Sequence, residues 1–188
     1  MSRVILGTTI SLDGFINDRE GSVAALYPDL DAWRSTEPGQ ESNQNTGAVV
    51  MGRNSFAMAE DPDWFAGNYE YQVPVFVLTH QPPQKHPRET YSLTFTFVTD
   101  GVESAIAQAK ASAVNKDVNV IDAASTACQC LQARLVDELH IDIMPVLLGA
   151  RLRFFDEMDT TVIQMERLQV MKLPGGRIHI RFRIVKKL

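Results

Sequence analysis

The order of apolar and helix-like segments constrains the fold of this chain more than any other feature of its sequence. Short apolar runs typical of buried strands lie at 3–10, 47–51, 73–79, 94–98 and 117–121. Helix-like patterns lie at 28–36, from 53 onward, at 102–114 and at 125–134. The run 37–45 predicts a polar connection. Since parallel strands need crossover connections, this alternation predicts a sheet covered by helices on both faces.

The last part of the chain predicts strands only, at 138–148, 162–172 and 177–185. The sequence Leu-Pro-Gly-Gly at 173–176 joins the last two strands and is typical of a hairpin turn. We therefore predict a single α/β domain over residues 1–188. It has three layers, a mixed, mostly parallel central sheet and a C-terminal antiparallel hairpin.

The composition narrows the classes of function. The chain has 188 residues, 45% of them apolar and 22% charged, which is ordinary for a globular domain. A net charge of −5 argues against nucleic-acid binding, and no apolar run approaches the roughly 20 residues that span a membrane. Cys128 and Cys130 lie on different faces of a predicted helix, so we expect no disulfide between them. This cysteine usage predicts a cytoplasmic protein.

Ligands of such sheets bind at the carboxyl ends of the strands, where three segments carry polar residues. The first is Gly52-Arg53-Asn54-Ser55, where a strand enters a helix. Glycine permits close approach, a helix start favours anions, and arginine can grip a phosphate. A tight turn with a surface arginine explains this segment equally well.

The second and third strand ends give weaker signals. Thr79 and His80 follow Leu78 at the end of a strand and could hold a phosphate or ribose, although such a pair more often only begins a loop. At the third end, Asp122 leaves the strand at 117–121, and Asp122 or Ser125 could cap the next helix. A plain helix cap is the favoured interpretation there.

Charged side chains also share strand faces. Residues with period-two spacing are Glu138, His140 and Asp142 on one strand and Arg177, His179, Arg181 and Arg183 on another. Opposite charges on neighbouring strands explain both sets, as solvated or subunit-interface faces. A metal site from one histidine and two acids is the weaker alternative, so we predict no metal.

Several of these segments together resemble a known family. They are 11–15 (SLDGF), 50–53 (VMGR), 77–79 (VLT), 135–140 (LVDELH), 145–149 (PVLLG) and the arginine-rich last strand. In this order the chain resembles the dihydrofolate reductase-like superfamily. It is most similar to the C-terminal reductase domain of the bifunctional riboflavin-biosynthesis deaminase/reductase and its stand-alone relatives.

The resemblance implies an NADPH-dependent, homodimeric reductase. It implies that cofactor phosphates lie at Gly52, Arg53, Asn54 and Ser55, and the adenosine side at Leu78, Thr79 and His80. It places Thr8 and Thr9 beside the substrate and makes Asp13 a substrate-side and catalytic candidate. Asp13 is equally well explained as a turn residue before Gly14.

The third strand end departs from the family pattern. The family has a Gly-Gly pair where the cofactor pyrophosphate crosses the sheet, and Asp122-Ala123 stands there, followed by Ala124, Ser125 and Thr126. An aspartate about 5 Å from a phosphate repels it by about 3 kcal/mol at an effective dielectric near 20. Weakened or lost NADPH binding is therefore one hypothesis for this chain.

The resemblance leaves three functions open. The leading one is NADPH-dependent reduction of a pyrimidine-type heterocycle, closest to 5-amino-6-(5-phosphoribosylamino)uracil. The second is a pterin reductase, in which Asp29 or Asp31 holds the pterin, although either acid is more simply a first-turn helix residue. The third is a non-catalytic dimer that binds another small ligand and has lost NADPH through Asp122 and Ala123.

Overall fold

An eight-stranded sheet runs through the protein. The computed structural model describes residues 2–121, 124–149, 152–156, 158 and 162–186. The strands are β1 (Val4–Ser11), β2 (Thr46–Gly52), β3 (Val75–Leu78), β4 (Phe95–Val98), β5 (Asp117–Val120), β6 (Glu138–Met144), β7 (Met165–Lys172) and β8 (Ile178–Ile184).

The strand order across the sheet is β4-β3-β2-β5-β1-β6-β8-β7. All neighbours from β4 to β6 are parallel, and β8 is antiparallel to both β6 and β7. The predicted mixed, mostly parallel sheet with a C-terminal hairpin is therefore confirmed. Gly175 and Gly176 have positive φ angles of 70° and 75° in the hairpin turn, a conformation that glycine adopts without strain.

Within the described residues, six α-helices cover the sheet: α1 (Leu30–Arg34), α2 (Glu37–Asn45), α3 (Arg53–Phe56), α4 (Phe65–Asn68), α5 (Val102–Ser112) and α6 (Ala124–Gln132). The prediction of a polar connection at 37–45 is wrong, because this segment forms α2. Thr36 caps it by accepting a hydrogen bond from the backbone N–H of Gly39 at 3.3 Å, and Pro38 occupies its first turn. The segment contains no apolar periodicity from which a helix could be predicted.

The two faces of the sheet are covered differently. Helices α5 and α6 pack on one face with an aliphatic core that includes Leu6, Val50 and Val120. Over β2, β3 and β4 the other face carries an aromatic core that includes Phe56 and Phe65, whose rings stack with centroids 5.4 Å apart. The rest of this second face, on β1, β5, β6 and β8, is polar and lies beneath α1 and α2.

Along the described parts of the chain, no helix combines the length and apolar character that crossing a membrane requires.

Candidate functional site

A cavity of about 130 Å³ lies on the polar part of the sheet, between the strands and helices α1 and α2. Strand β1 contributes Ile5, Gly7, Thr8 and Thr9, and β6 contributes His140 and Asp142. Side chains of α1 and α2, including Trp33 and Ser42, complete the wall. Adjacent parallel strands bring these residues together, since Gly7 pairs with His140 and Thr9 pairs with Asp142.

Arg177 forms the base of the cavity and is only 1% exposed. Its guanidinium donates to Asp29 Oδ1 at 2.7 Å, to Asp142 Oδ2 at 3.4 Å and to the carbonyl oxygen of Leu26 at 3.2 Å. It also donates to Thr9 Oγ1 at 3.3 Å. A buried arginine needs such partners, because an unpaired charge away from water is costly.

His179 continues this network on β8. Its Nδ1 lies 2.8 Å from Asp142 Oδ1, and Arg181 Nε donates to its Nε2 at 3.0 Å. Because a guanidinium is only a donor, His179 Nε2 accepts and Nδ1–H donates to Asp142. Arg181 in turn pairs with Glu41 of α2 at 2.8 Å.

A second network surrounds His140. Its Nε2 lies 3.1 Å from Glu138 Oε2, and Arg3 bridges Glu138 at 3.0 Å and Asp117 at 2.6 Å. Burial lowers the pKa of His140, and the hydrogen bond to Glu138 opposes this shift. The ring of His140 packs edge-on against His179 with centroids 5.8 Å apart.

These networks correct one prediction. Opposite charges do pair across β6 and β8, as the spacing indicated. The faces are not solvated, however, because Glu138, Asp142 and His179 are 8%, 6% and 4% exposed. Helices α1 and α2 bury them, and the more distal Arg183 pairs with Glu166 at the exposed end of the hairpin.

Hydrogen-bonding groups without partners line the opposite wall. Asn119 Nδ2 donates to Ser42 Oγ at 3.2 Å and to the hydroxyl of Tyr71 at 3.3 Å. Its Oδ1 is buried and has no partner among the described residues, and the same holds for the indole N–H of Trp33. Burial raises the pKa of Tyr71 to about 12, so its hydroxyl stays protonated. The Asn119 oxygen and the Trp33 nitrogen are shielded from solvent and lie on residues that line the cavity.

Two of the predicted substrate residues, Thr8 and Thr9, line the cavity. Asp13 has a different position. Its Oδ1 accepts from the Ser11 hydroxyl at 2.6 Å and from the backbone N–H of Leu148 at 3.1 Å, and its Oδ2 accepts from that of Gly149 at 2.9 Å. These bonds, the Ser11 hydroxyl foremost, lower the pKa of Asp13 to about 2. The two backbone bonds tie Asp13 to the segment that follows β6, and its substrate-side, catalytic and turn roles stay predictions.

The predicted cofactor residues lie at three adjacent strand ends. Gly52 at the end of β2 pairs with Leu78 at the end of β3, and the Ile121 N–H donates to the Val50 carbonyl at 2.9 Å. Ends of parallel neighbours meet at one edge of the sheet. The residues after β2 therefore stand close to Ile121, the first residue after β5. Their role in binding a cofactor stays a prediction.

The side chains at these strand ends differ in exposure and in hydrogen bonding. Arg53, Asn54 and His80 are exposed, and the structure shows no ion pair of Arg53 with a described residue. The Thr79 hydroxyl closes a turn instead, donating to the Gln81 carbonyl at 2.8 Å. Ser55 is half-buried in the first turn of α3.

The end of β5 is described in part. Ala124 and Thr126 are buried at the start of α6, and Ser125 is exposed there. Asp122 and Ala123 lie outside the described residues. Ile121, the last described residue before them, lines the cavity.

The acids considered for a pterin are both paired. Asp31 is exposed, with 97% of its side chain accessible, and pairs with Arg34 at 3.1 Å. Asp29 Oδ1 instead pairs with the buried Arg177. Neither acid lines the cavity.

Several cavity residues escaped prediction, among them Asn119, Tyr71, Ser42, Glu70 and Trp33. One signal was available, because Asn119 is a polar residue inside the otherwise apolar end of β5. The others come from α1, α2 and the loop before β3, and no local pattern marks them. In the part of the chain that the structure describes, no group of three metal-ligating side chains comes together.

The strand order, the antiparallel C-terminal strands and the cavity beside the strand ends define an α/β fold of the dihydrofolate reductase-like class. The chain belongs to the RibD C-terminal domain family, whose model matches residues 2–178. No curated protein sequence is significantly similar to it.

Solved structures share this fold. A protein from Shewanella sp. PV-4 that is named for riboflavin biosynthesis is 22% identical, with a TM-score of 0.77 over 98% of this chain and 99% of that one. The Thermotoga maritima diaminohydroxyphosphoribosylaminopyrimidine deaminase/5-amino-6-(5-phosphoribosylamino)uracil reductase is 13% identical, with a TM-score of 0.67 over 98% of this chain and 57% of that one. The chain thus spans little more than half of that bifunctional protein.

A dihydrofolate reductase from Enterococcus faecalis, solved with NADP(H), is 14% identical, with a TM-score of 0.62 over 98% of this chain and 97% of that one. At these identities the structures establish the fold. The family match establishes a domain of reductase type.

Proposed function

We propose that the protein is an NADPH-dependent reductase of a pyrimidine-type heterocycle, in the class of 5-amino-6-(5-phosphoribosylamino)uracil. The observation that carries this proposal is the cavity beside the strand ends. Its lining includes the polar side chains of Thr8, Thr9 and Asn119 and the indole of Trp33. These residue types hydrogen-bond the ring N–H and carbonyl groups of a nitrogen heterocycle.

The size of the cavity favours a single ring. A cavity of about 150 Å³ in another protein accommodates benzene, and the volume here is about 130 Å³. One six-membered ring fits within this volume. Neither Asp29 nor Asp31, the two acids considered for a pterin, lines the cavity, which favours a pyrimidine over a pterin.

NADPH supplies hydride when it is bound, and the chain supplies orientation. Arg53 and Asn54, exposed at the end of β2, fit a role in holding its phosphates. Because Ile121 lines the cavity directly before the predicted pyrophosphate turn, a cofactor at this edge would reach the ring in the cavity. Thr8 and Thr9 on β1 would contact the ring from the sheet.

The test is a fluorescence titration of the purified protein with NADPH, with NADH in parallel. We expect NADPH-selective binding in the micromolar range, reduced about 10- to 100-fold in Arg53→Ala. Arg19→Ala, at an exposed position in the loop after β1, is the matched control. Failure of NADPH to bind at millimolar concentration would refute the reductase proposal.

The second candidate function is a non-catalytic, dimeric relative that binds a small ligand without NADPH. The replacement of the family Gly-Gly pair by Asp122-Ala123 favours it. The double variant Asp122→Gly/Ala123→Gly distinguishes the two. Gain of NADPH binding only in this variant supports the second candidate, and equal affinity in both proteins shows that the natural residues accommodate the cofactor.

We also propose that the protein is a cytoplasmic homodimer. Apolar side chains on the C-terminal hairpin are partly exposed, with Met165, Val170 and Ile178 at 45%, 53% and 41%. Burial against a second copy would remove this surface from water. Light scattering on a sizing column should give twice the mass of the 21.0 kDa chain. The cysteine usage of the sequence, two in 188 residues, supports the cytoplasmic location.

A further inference from the structure

We propose that His140 binds the heterocycle directly: its Nδ1 accepts a hydrogen bond from a ring N–H, and Glu138 positions the imidazole for this contact. The proposal deepens the proposed function and rests on it for the reaction. It names a binding residue in the same cavity and the kind of ring edge that this residue takes, an edge with an N–H group as in uracil.

His140 lines the cavity next to a bare stretch of strand. It pairs with Gly7 across β6 and β1, so the two residues point to the same face of the sheet. A Cβ added to Gly7 would meet only Asn119 Oδ1 among the described atoms, at 3.5 Å. The strand surface beside the imidazole therefore carries no side chain, and a flat ring can lie on it against His140.

Glu138 determines which nitrogen of His140 carries the hydrogen. The imidazole Nε2 lies 3.1 Å from Glu138 Oε2, and Arg3 donates to the other carboxylate oxygen at 3.0 Å. Because a carboxylate only accepts, Nε2–H donates to it, and the neutral imidazole presents a lone pair at Nδ1. Arg3 is held in turn by Asp117 at 2.6 Å, so the orientation of the imidazole is supported by three further side chains.

Nδ1 is the nitrogen of His140 that a ligand can reach. It makes no hydrogen bond with a described residue, and it is not one of the buried polar atoms that lack a partner. The side chain of His140 keeps 17% of its surface accessible. In this respect Nδ1 differs from Asn119 Oδ1 and the indole N–H of Trp33, which are shielded. An accessible acceptor gains a hydrogen bond when a ring N–H arrives.

The groups around His140 favour its neutral form. Burial lowers its pKa, the hydrogen bond to Glu138 opposes this shift, and Arg181 and His179 on β8 add to it. The other carboxylates of the surrounding elements have partners of their own: Asp117 pairs with Arg3, Asp142 with Arg177, Glu41 with Arg181 and Glu70 with Arg34. At neutral pH Nδ1 is therefore an acceptor, and protonation at low pH converts it into a donor that a ring N–H cannot bind.

A water molecule is the competing partner of Nδ1. A smaller cavity of about 20 Å³ adjoins the first, His140 borders both, and this volume holds one water. The two partners give different results, because a contact with water does not depend on which ring is bound. A contact with the ligand depends on a ring N–H.

The test compares two probes by isothermal titration calorimetry on the full chain, with and without NADPH. Uracil has ring N–H groups, and pyrimidine has the same ring size and none. His140→Gln keeps a donor for Glu138 and has no acceptor at the position of Nδ1. We expect this variant to bind uracil about 3- to 10-fold more weakly and pyrimidine with unchanged affinity.

Two further variants complete this comparison. His140→Asn places an amide oxygen near the position of Nδ1 and should recover most of the uracil affinity. His86→Gln is the matched control, because His86 is exposed, pairs with Glu89 at 3.2 Å and lies outside the cavity lining. Unchanged uracil affinity in His140→Gln, or an equal loss for both probes, would overturn the proposal. So would failure of uracil to bind the natural protein at millimolar concentration.

The pH dependence tests the positioning role of Glu138. Uracil affinity should fall as the pH drops through the pKa of His140, and His140→Asn should lose this dependence. Glu138→Gln removes the hydrogen bond that opposes the effect of burial, so the midpoint should move to lower pH. Nitrogen-15 NMR of the four histidines reports the same contact in the natural protein, since uracil should shift the Nδ1 signal of His140 and pyrimidine should not. A pH-independent affinity, an unmoved midpoint or an unshifted Nδ1 signal would contradict the assignment.

These measurements separate the proposal from the proposed function. Uracil binding that depends on His140, without any NADPH binding, would refute the reductase and leave the assignment of His140 standing. NADPH binding together with uracil affinity that ignores His140→Gln would refute the assignment alone.

Discussion

Replacing Arg177 tests how the buried charge network supports the cavity. Arg177→Met removes the guanidinium that pairs with Asp29 and Asp142 and keeps a side chain of similar length. Breaking a buried ion pair by deleting one partner costs about 3–5 kcal/mol, because the remaining charges lose their compensation. Typical domains have about 5–15 kcal/mol of stability in total, so the loss is a large fraction of it.

Urea denaturation and thermal melting measure this effect. For a chain of this size about 2–4 °C of melting temperature corresponds to 1 kcal/mol, so we expect a decrease of about 6–20 °C. Arg19→Met is the control, because Arg19 is exposed in the loop after β1 and should change stability by less than about 0.5 kcal/mol. The double variant Arg177→Met/Asp29→Asn should recover part of the loss, since it removes one of the uncompensated carboxylates.

Two results would refute the reasoning. Arg177→Met could unfold within about 1 kcal/mol of the natural protein, which would show that its carboxylate partners are solvated. Alternatively, the double variant could lose the sum of the two single effects, which would show that Arg177 and Asp29 are not energetically coupled.

Three further substitutions test other parts of the structure. Asp13→Asn should lower the free energy of unfolding near neutral pH. Because folding lowers the pKa of Asp13 to about 2, its stabilisation is present above about pH 4 and is lost as the pH falls towards 2. The urea midpoints of the variant and the natural protein should therefore converge at low pH. Gly47→Ala should destabilise by about 1–3 kcal/mol, because its Cβ would lie 2.7 Å from Lys116 Cβ; an unchanged urea midpoint would contradict this packing. Tyr71→Phe should lower the free energy of unfolding by about 1–2 kcal/mol and weaken binding of a heterocycle in the cavity, because it removes the hydroxyl that bonds Ser42 and Asn119. Unchanged stability and unchanged binding would show that the cavity wall does not need this hydroxyl.

The residues of the first strand end show what a local sequence pattern can indicate. Gly52 and Arg53 became candidates from one glycine, one arginine and a change from strand to helix, whereas Leu78 on β3 became a candidate through the family resemblance. The structure adds that these ends are neighbours, since Gly52 pairs with Leu78. Their adjacency follows from parallel pairing, which the alternation of segments had already indicated.

Helix α2 is an element that the local pattern of apolar residues does not predict. Its sequence is polar throughout, and the residues that bury are Pro38 and Gly39, which ordinarily end helices. The Thr36 cap and the close approach of Gly39 to α1 stabilise it. The backbone carbonyls of Trp33 and Arg34 come so near that no side chain fits at Gly39. Such an approach depends on the position of α1, which no local pattern contains.

The sequence by itself determined the class of fold, the hairpin, and which strand residues share a face. These features depend on periodicity and turn chemistry within about ten residues of the chain. Only the tertiary structure decided that the charged faces are buried and that they enclose a cavity. Its contacts join Asn119 to Ser42 across 77 residues and Arg177 to Asp29 across 148. Strand order and helix placement set these distances, because packing of the whole chain brings remote polar groups together where each must find a partner.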